Sequence, residues 1–410
     1  MSTPLHSTMS ETMSETMHTS NVETMVGDSA ARLFSQHVNR ALLEQFEAGV
    51  WPARLWQLAE DNGLTLALAS EASGGIGASW REAYPILRGI GYWHVPLPLA
   101  GTMIAALLLS RAGIVIPAGP ISLIDTADGG TVTADAGADA DAADGAGTGA
   151  GTGAGASAAA NGAGMRLTGS ATRVAWASQC RSALVSLADG RIALLDLKQG
   201  DAVHITTHLN PAGEPCDEVR LRNALCLAHA ANPFPALAQP LRTLGAIASS
   251  AMMVGAMEWL LEQSVQYAND RVQFGKPIGK NQAIQQQLAL MAGDVAAARM
   301  AAMVACADAP GAAASAGESG AGDACPAAYF SAAVAKVRAG EAATRATSIA
   351  HQVHGAIGFT YEHSLNFATR RLWAWREIYG ADAWWAQRLG EAAIAAGAEG
   401  FWPALTRRHF

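Results

Sequence analysis

Charged residues are scarce in this chain of 410 residues: Asp, Glu, Lys and Arg together make up 15%. The balance is acidic, at a formal net charge of −8, which argues against a general nucleic-acid binder. An anionic ligand in a local basic pocket stays compatible with it. Cysteine is sparse as well. Cys180, Cys216, Cys226, Cys306 and Cys325 show no C-x-x-C spacing and read as reduced thiols in the cytoplasm. No metal site is expected. No run of 18 or more apolar residues occurs, so no membrane span is expected. The first twenty residues lack a basic region followed by an apolar one, so no secretory signal is read there. With its MSET repeat, the stretch 1–25 reads as a disordered tail.

What the chain does have is apolar residues, at 50%, although much of that share is alanine. The length suits two or three domains. Residues 26–114 read as helical. Leu33, Val38, Leu42 and Phe46 recur at helical spacing, and 51–61 reads as a further helix stopped at Asn62-Gly63. Residues 73–77, SGGIG, read as a loop without a surrounding strand–turn–helix unit, and 81–92 returns to helix. Residues 115–237 change character, with short strand-like runs at 121–125, 183–187, 192–197 and 218–221. A low-complexity insertion, 134–164, lies among them. Residues 238–410 are helical again. Leu244, Ile247, Ala251, Val254, Leu261 and Val265 mark one stripe, and Ile284, Leu288, Met291 and Val295 the next. Val334 and Val337, then Leu389 and Ala393, mark two more, with a second insertion at 309–323. The expected fold is α+β and mainly α: an N-terminal helical domain, a small central β domain and a C-terminal four-helix bundle.

Two segments of the last region carry chemistry. The first, 267–282, reads YANDRVQFGKPIGKNQ. Arg271 offers a fork of donors suited to a pyrophosphate, and Phe274 an apolar face for a flavin or adenine ring. The second, 352–371, begins QVHGAIGFT, where glycines at a helix-to-loop junction let the backbone approach a phosphate. In register, order and separation the two segments resemble the flavin-binding signatures of the acyl-CoA dehydrogenase family. The resemblance implies FAD as cofactor and an acyl-CoA substrate, with an electron-transfer flavoprotein or similar acceptor. It further implies that Arg271, Phe274 and Gln282 reach the FAD of a neighbouring subunit, in a homo- or hetero-oligomer. Gln352, Gly355 and Gly358 match the second signature. Ala356 replaces the second of two adjacent glycines that the family usually has. His354 reads as a packed or loop histidine, and Glu362 as structural.

The resemblance also implies a carboxylate that removes the substrate α proton while the flavin takes the β hydride. The usual position for it, 24 residues after Gly355, is Tyr379, a phenol whose ordinary pKa is near 10. The position used by a minority of the family is Gly245, and no Asp or Glu occurs from Val219 to Met257. Glu377 and Asp382 lie nearby and become substitutes only through a local register shift. The family's flavin-contact string in the β domain corresponds to GSATRVAW at 169–176, with Arg173 and Ala175 in place of the usual Trp and Thr, and Trp176 as a possible ring contact. Two functions follow from the resemblance: an FAD-dependent acyl-CoA dehydrogenase with an unusual base, or a base-less partner subunit that completes the FAD site of a second chain. A helical protein without cofactor is the third reading.

Overall fold

A computed structural model describes residues 24–126, 130–135, 164–311 and 321–408. The expected tail at 1–25 falls outside these except for its last two residues, which already belong to a helix. Helix α1 spans 24–37 and α2 spans Arg40–Glu47. The single stripe expected over Leu33 to Phe46 is therefore two helices. Asn39 interrupts it: its side chain accepts a hydrogen bond from Leu42 N and caps α2. Helix α3, Ala53–Asp61, follows Pro52 and ends where Gly63 turns left-handed, at φ 69°. Helix α4, Trp80–Tyr92, starts on a capping box made by Ser79 and Glu82. Helix α5 spans Leu99–Arg111.

Among the described residues, the central region is a seven-stranded sheet. Its strands are β1 (Ile121–Asp125), β2 (Thr131–Asp135), β3 (Arg166–Ala175), β4 (Ser182–Ser186), β5 (Arg191–Asp196), β6 (Val203–Thr206) and β7 (Cys216–Ala231). The order is β1-β4-β5-β7-β3-β2, with β6 also on β7; β1 and β4 are parallel and the other pairs antiparallel. Sequence had shown four of these seven. The insertion expected from residue 134 starts later, because Ala134 and Asp135 pair in β2 with Leu167 and Arg166. Most of the insertion, 136–163, lies outside the described residues.

Among the described residues five helices follow: α6 (Pro240–Asp270), α7 (Gln282–Asp308), α8 (Ala321–His354), α9 (Leu365–Glu377) and α10 (Asp382–Arg407), which breaks at Gly397. From Pro240 to Glu258, α6 is buried on all sides rather than along one stripe, as befits the central helix of a bundle. Its partner α4 crosses it backbone to backbone. A Cβ built on Gly91 would lie 1.7 Å from Met252 O, and one on Gly255 1.9 Å from Arg88 O. The buried side of α8 is rich in alanine, so α6, α7 and α8 pack closely. One hydrophobic core runs from the N-terminal helices into the bundle, and a second fills the β region. By length and composition α6 and α7 could each cross a membrane, but 89% of the apolar window of α6 is buried inside the protein. The corresponding window of α7 is 28% buried. The second insertion is partly structured: the buried Trp80 indole donates to Pro310 O at 3.0 Å, and α8 has begun by residue 321.

Candidate active site

The residues singled out in sequence divide into two groups, an outward-facing pair of segments and an inward-facing cavity. The first segment folds as a tight hairpin after α6, with Val272–Gln273 paired to Lys276–Pro277. Its two-residue tip, Phe274-Gly275, is left-handed at both positions, φ 50° and 78°. That geometry suits a hairpin and suits glycine, but it is uncommon for a phenylalanine. Phe274 is fully exposed. Arg271 and Gln282 are exposed beside it.

The second segment ends α8. Gly355 has φ +62°, and a Cβ built there meets no atom within 4 Å, so the backbone face is open. Gln352, Gly355 and Ala356 line a groove of about 660 Å³ with Thr344, Ser348 and Phe359. Open backbone, a carboxamide, hydroxyls and aromatic walls fit a nucleotide laid across this turn. The segments meet within one chain, since the Tyr267 ring stacks on His354 at 4.5 Å. Arg40 of α2 holds the loop that follows, donating to the carbonyls of Tyr361 and Glu362. Glu362 itself is exposed.

His351, which lines the groove, clusters with His354 and His363, and burial pushes all three below the ordinary imidazole value. His354 Nδ1 donates to Ala350 O at 2.7 Å, which leaves Nε2 buried and without a partner. His363 Nδ1 accepts from Leu365 N at 3.1 Å, and the Arg40 cation lies nearby. Each ring is held in its neutral form. The chain unfolded would protonate them near pH 6.5, so below about that value the unfolded state takes up protons that the folded state refuses. Stability is therefore full above about pH 6.5 and falls on acidification, and the melting temperature should drop as the pH is lowered below that value. His354→Phe keeps the stack on Tyr267 and should flatten part of that slope. A melting temperature that rose over the same interval would contradict the argument.

The inward group surrounds a cavity of about 50 Å³ between α5, β1, α6 and α9. Leu97, Ile104, Leu123 and Met252 give it an apolar wall. Tyr379 and Ser249 reach it, and so does Glu214, from the loop before β7. Tyr379 and Gly245, the two positions where the resemblance implies a base, touch each other. A Cβ on Gly245 would stand 2.4 Å from the Tyr379 ring carbons Cγ and Cδ1. Glu377 is exposed at the end of α9 and does not line the cavity. Asp382 is bound by Arg376 at 2.8 Å. Trp176 is buried, 5.5 Å from the Phe46 ring, and contributes to the cavity wall from within the core. Arg173 and Ala175 line a narrow gap of about 20 Å³ closed on its other side by Ile378 and Tyr379. A flavin ring does not fit that gap.

Sequence reasoning had passed over three buried polar residues beside the cavity. Glu214 accepts from Trp375 Nε1 at 3.0 Å and from Asn210 Nδ2 at 3.2 Å, and pairs with Arg371 at 3.3 Å. Lys336 of α8 donates to Ser249 Oγ at 3.1 Å and Trp375 O at 2.6 Å. The available signal was a lone lysine in an alanine-rich helix, and an arginine inside the second segment. Among the described residues, no cluster of three or more His, Cys, Asp or Glu side chains is arranged to hold a metal ion.

Comparison with known proteins agrees with this geometry. The model of the acyl-CoA dehydrogenase C-terminal domain matches residues 243–393. The chain is 37% identical over 127 residues to the acyl-CoA dehydrogenase IpdE2 of Mycobacterium tuberculosis, covering 31% of this chain and 34% of that protein. It thus spans about a third of the length of that curated relative. The Tcur3481–Tcur3483 steroid ACAD shares the fold at TM-score 0.73 and 23% identity, covering 93% of this chain and 99% of that one. The ChsE4–ChsE5 complex from Mycobacterium tuberculosis does so at 0.71 and 21%, covering 91% and 97%. Two signature segments, a helical–β–helical order and the matching family model lead to one conclusion: residues 243–393 form an acyl-CoA dehydrogenase C-terminal domain, in a chain that shares the fold of acyl-CoA dehydrogenases.

Proposed function

We propose that this chain is the partner subunit of a two-chain acyl-CoA dehydrogenase and completes the FAD site of its companion without dehydrogenating an acyl-CoA itself. One observation carries the reading: Arg271, Phe274 and Gln282 are all exposed while neither base position holds a carboxylate. Phe274 stands fully exposed on a left-handed tip, as expected of a ring displayed to a neighbour. Arg271 would hold the pyrophosphate, and the turn at Gly355 and Ala356 would approach the nucleotide with its backbone. FAD, when bound, supplies the acceptor for the β hydride of the substrate. The apolar, largely exposed outer side of α7, with Leu290 and Met300 in solvent, suits burial against another chain. The structurally similar ChsE4–ChsE5 is likewise a complex.

One observation favours a second reading, in which the chain dehydrogenates on its own. Glu214 is a carboxylate that lines the cavity. Against it, Arg371, Trp375 and Asn210 already engage both its oxygens. An α-proton base must be free to take the proton.

The test is a visible spectrum of the purified chain, alone and after co-expression with a family member that carries the carboxylate. The chain alone is expected to retain little flavin and turn over little acyl-CoA, and the pair to retain flavin. Arg271→Ala should weaken FAD binding by the pair about tenfold or more, as for a lost charged hydrogen bond. Strong turnover by the chain alone, abolished by Glu214→Gln, would establish the second reading instead.

A further inference from the structure

The geometry points to Tyr379 as a plug that closes this chain's own cavity to an acyl thioester, with Gly245 as the socket that receives it; the inference rests on the partner-subunit reading and specifies what this chain does with the substrate. The Tyr379 ring lies flat on Gly245. Built Cβ contacts of 2.4, 2.4 and 2.6 Å to three ring carbons mean that no other residue fits at 245 unless the ring moves. The backbone under the ring is held in an uncommon state. Tyr379 has φ 56° and Gly380 φ 90°, two left-handed residues in succession. A bulky residue keeps that conformation only where its surroundings enforce it.

The enforcing contacts are present. Trp385, fully buried, donates its indole N–H to Tyr379 O at 3.0 Å. Trp384 and Trp385 close the space beside Gly380. One turn upstream, Trp375 is tied to Glu214 and its carbonyl to Lys336. The plug is thus fixed from β7's leading loop, from α8 and from α10. What remains beside it is about 50 Å³, lined by alkyl side chains of Leu97, Ile104, Leu123 and Met252. Small-molecule sites usually occupy about 300–1,000 Å³. The wall chemistry suits an alkyl chain, and the size set by Tyr379 excludes one. A pair of unlike chains would then hold one acyl-CoA, on the companion's side.

Isothermal titration with hexanoyl-CoA tests this on the purified protein, in whatever assembly it forms with its companion's own site blocked by a tight thioester ligand. The wild type is expected to take up no hexanoyl-CoA at this cavity. Tyr379→Gly, which removes the ring and relieves the left-handed backbone, should bind it at least tenfold more tightly. Tyr379→Asn, also tolerant of that backbone, serves if the glycine variant does not fold. Wild type binding as tightly as a folded variant would overturn the plug, as would a folded variant that gains nothing. A second measurement needs no ligand. Gly245→Ala should lower the melting temperature of the wild type and leave that of Tyr379→Gly unchanged; equal effects in both would overturn the socket. The two readings fail separately. Wild-type uptake of hexanoyl-CoA without turnover sinks the plug alone. Tighter binding by Tyr379→Gly, with Arg271→Ala leaving the companion's FAD untouched, sinks the partner-subunit reading alone.

Discussion

Gly255→Ala is expected to deprive the chain of a large part of its stability. A methyl group there would lie 1.9 Å from Arg88 O and 2.8 Å from Tyr92 N, both backbone atoms of α4. Overpacking costs about 1–3 kcal/mol when side chains can give way. A helix backbone gives way less, so a loss of about 3 kcal/mol or more is expected against a typical total of about 5–15 kcal/mol. Gly91→Ala, the reciprocal change, should behave alike. Gly390→Ala is the control, since nothing lies within 4 Å of its Cβ position in α10. There alanine should stabilise by about 0.5–1 kcal/mol through lost backbone freedom in the unfolded chain. Urea unfolding checks all three. A Gly255→Ala midpoint equal to that of the wild type would mean that α4 and α6 do not approach as closely as described.

Arg371→Met should have an effect of similar size for an electrostatic reason. Arg371 is wholly buried and pairs with buried Glu214 at 3.3 Å. Removing one member strands the other charge away from water, at a cost of about 3–5 kcal/mol. The pair Arg371→Met with Glu214→Leu should regain much of that, because an apolar replacement of both partners is often neutral or better. For contrast, Arg181 is 75% exposed in its 3.5 Å pair with Asp196, and its replacement should cost under about 1 kcal/mol. If Arg371→Met and its Glu214→Leu combination unfold at the same urea concentration, the buried pair is not what holds α9 to the β region.

Local signals explain what could be read in the sequence. The start of α4 is encoded by Ser79 and Glu82, and the end of α3 by Asn62-Gly63, so those boundaries were legible to within a residue or two. β1 was legible because five consecutive residues pack inward or nearly so. β7 was not. Its sixteen residues alternate between buried and exposed, with arginines and an asparagine on the outer face, and only a four-residue piece looked strand-like. β2 and β6 are short and polar, and form because β3 and β7 offer them hydrogen bonds. The two signature segments were legible because each is contiguous. The cavity was not, since its decisive contacts join residues far apart in the chain: Gly245 with Tyr379, Glu214 with Arg371, Lys336 with Ser249. Sequence named Gly245 and Tyr379 as two separate vacancies. Folding makes them one contact.

The outer side of α7 has a consequence for how the chain must be made. With 28% of its apolar window covered, and with Leu290 and Met300 in solvent, α7 presents the kind of surface that drives indiscriminate association. Phe274, Phe359 and Tyr361 add exposed rings. Until another chain covers these groups, every newly folded copy is a substrate for chaperones and proteases as much as for assembly. If the proposed companion is what covers them, the cell's supply of this protein is set by the slower of two syntheses, its own and its companion's, and overproducing it alone should yield aggregate or degradation rather than surplus.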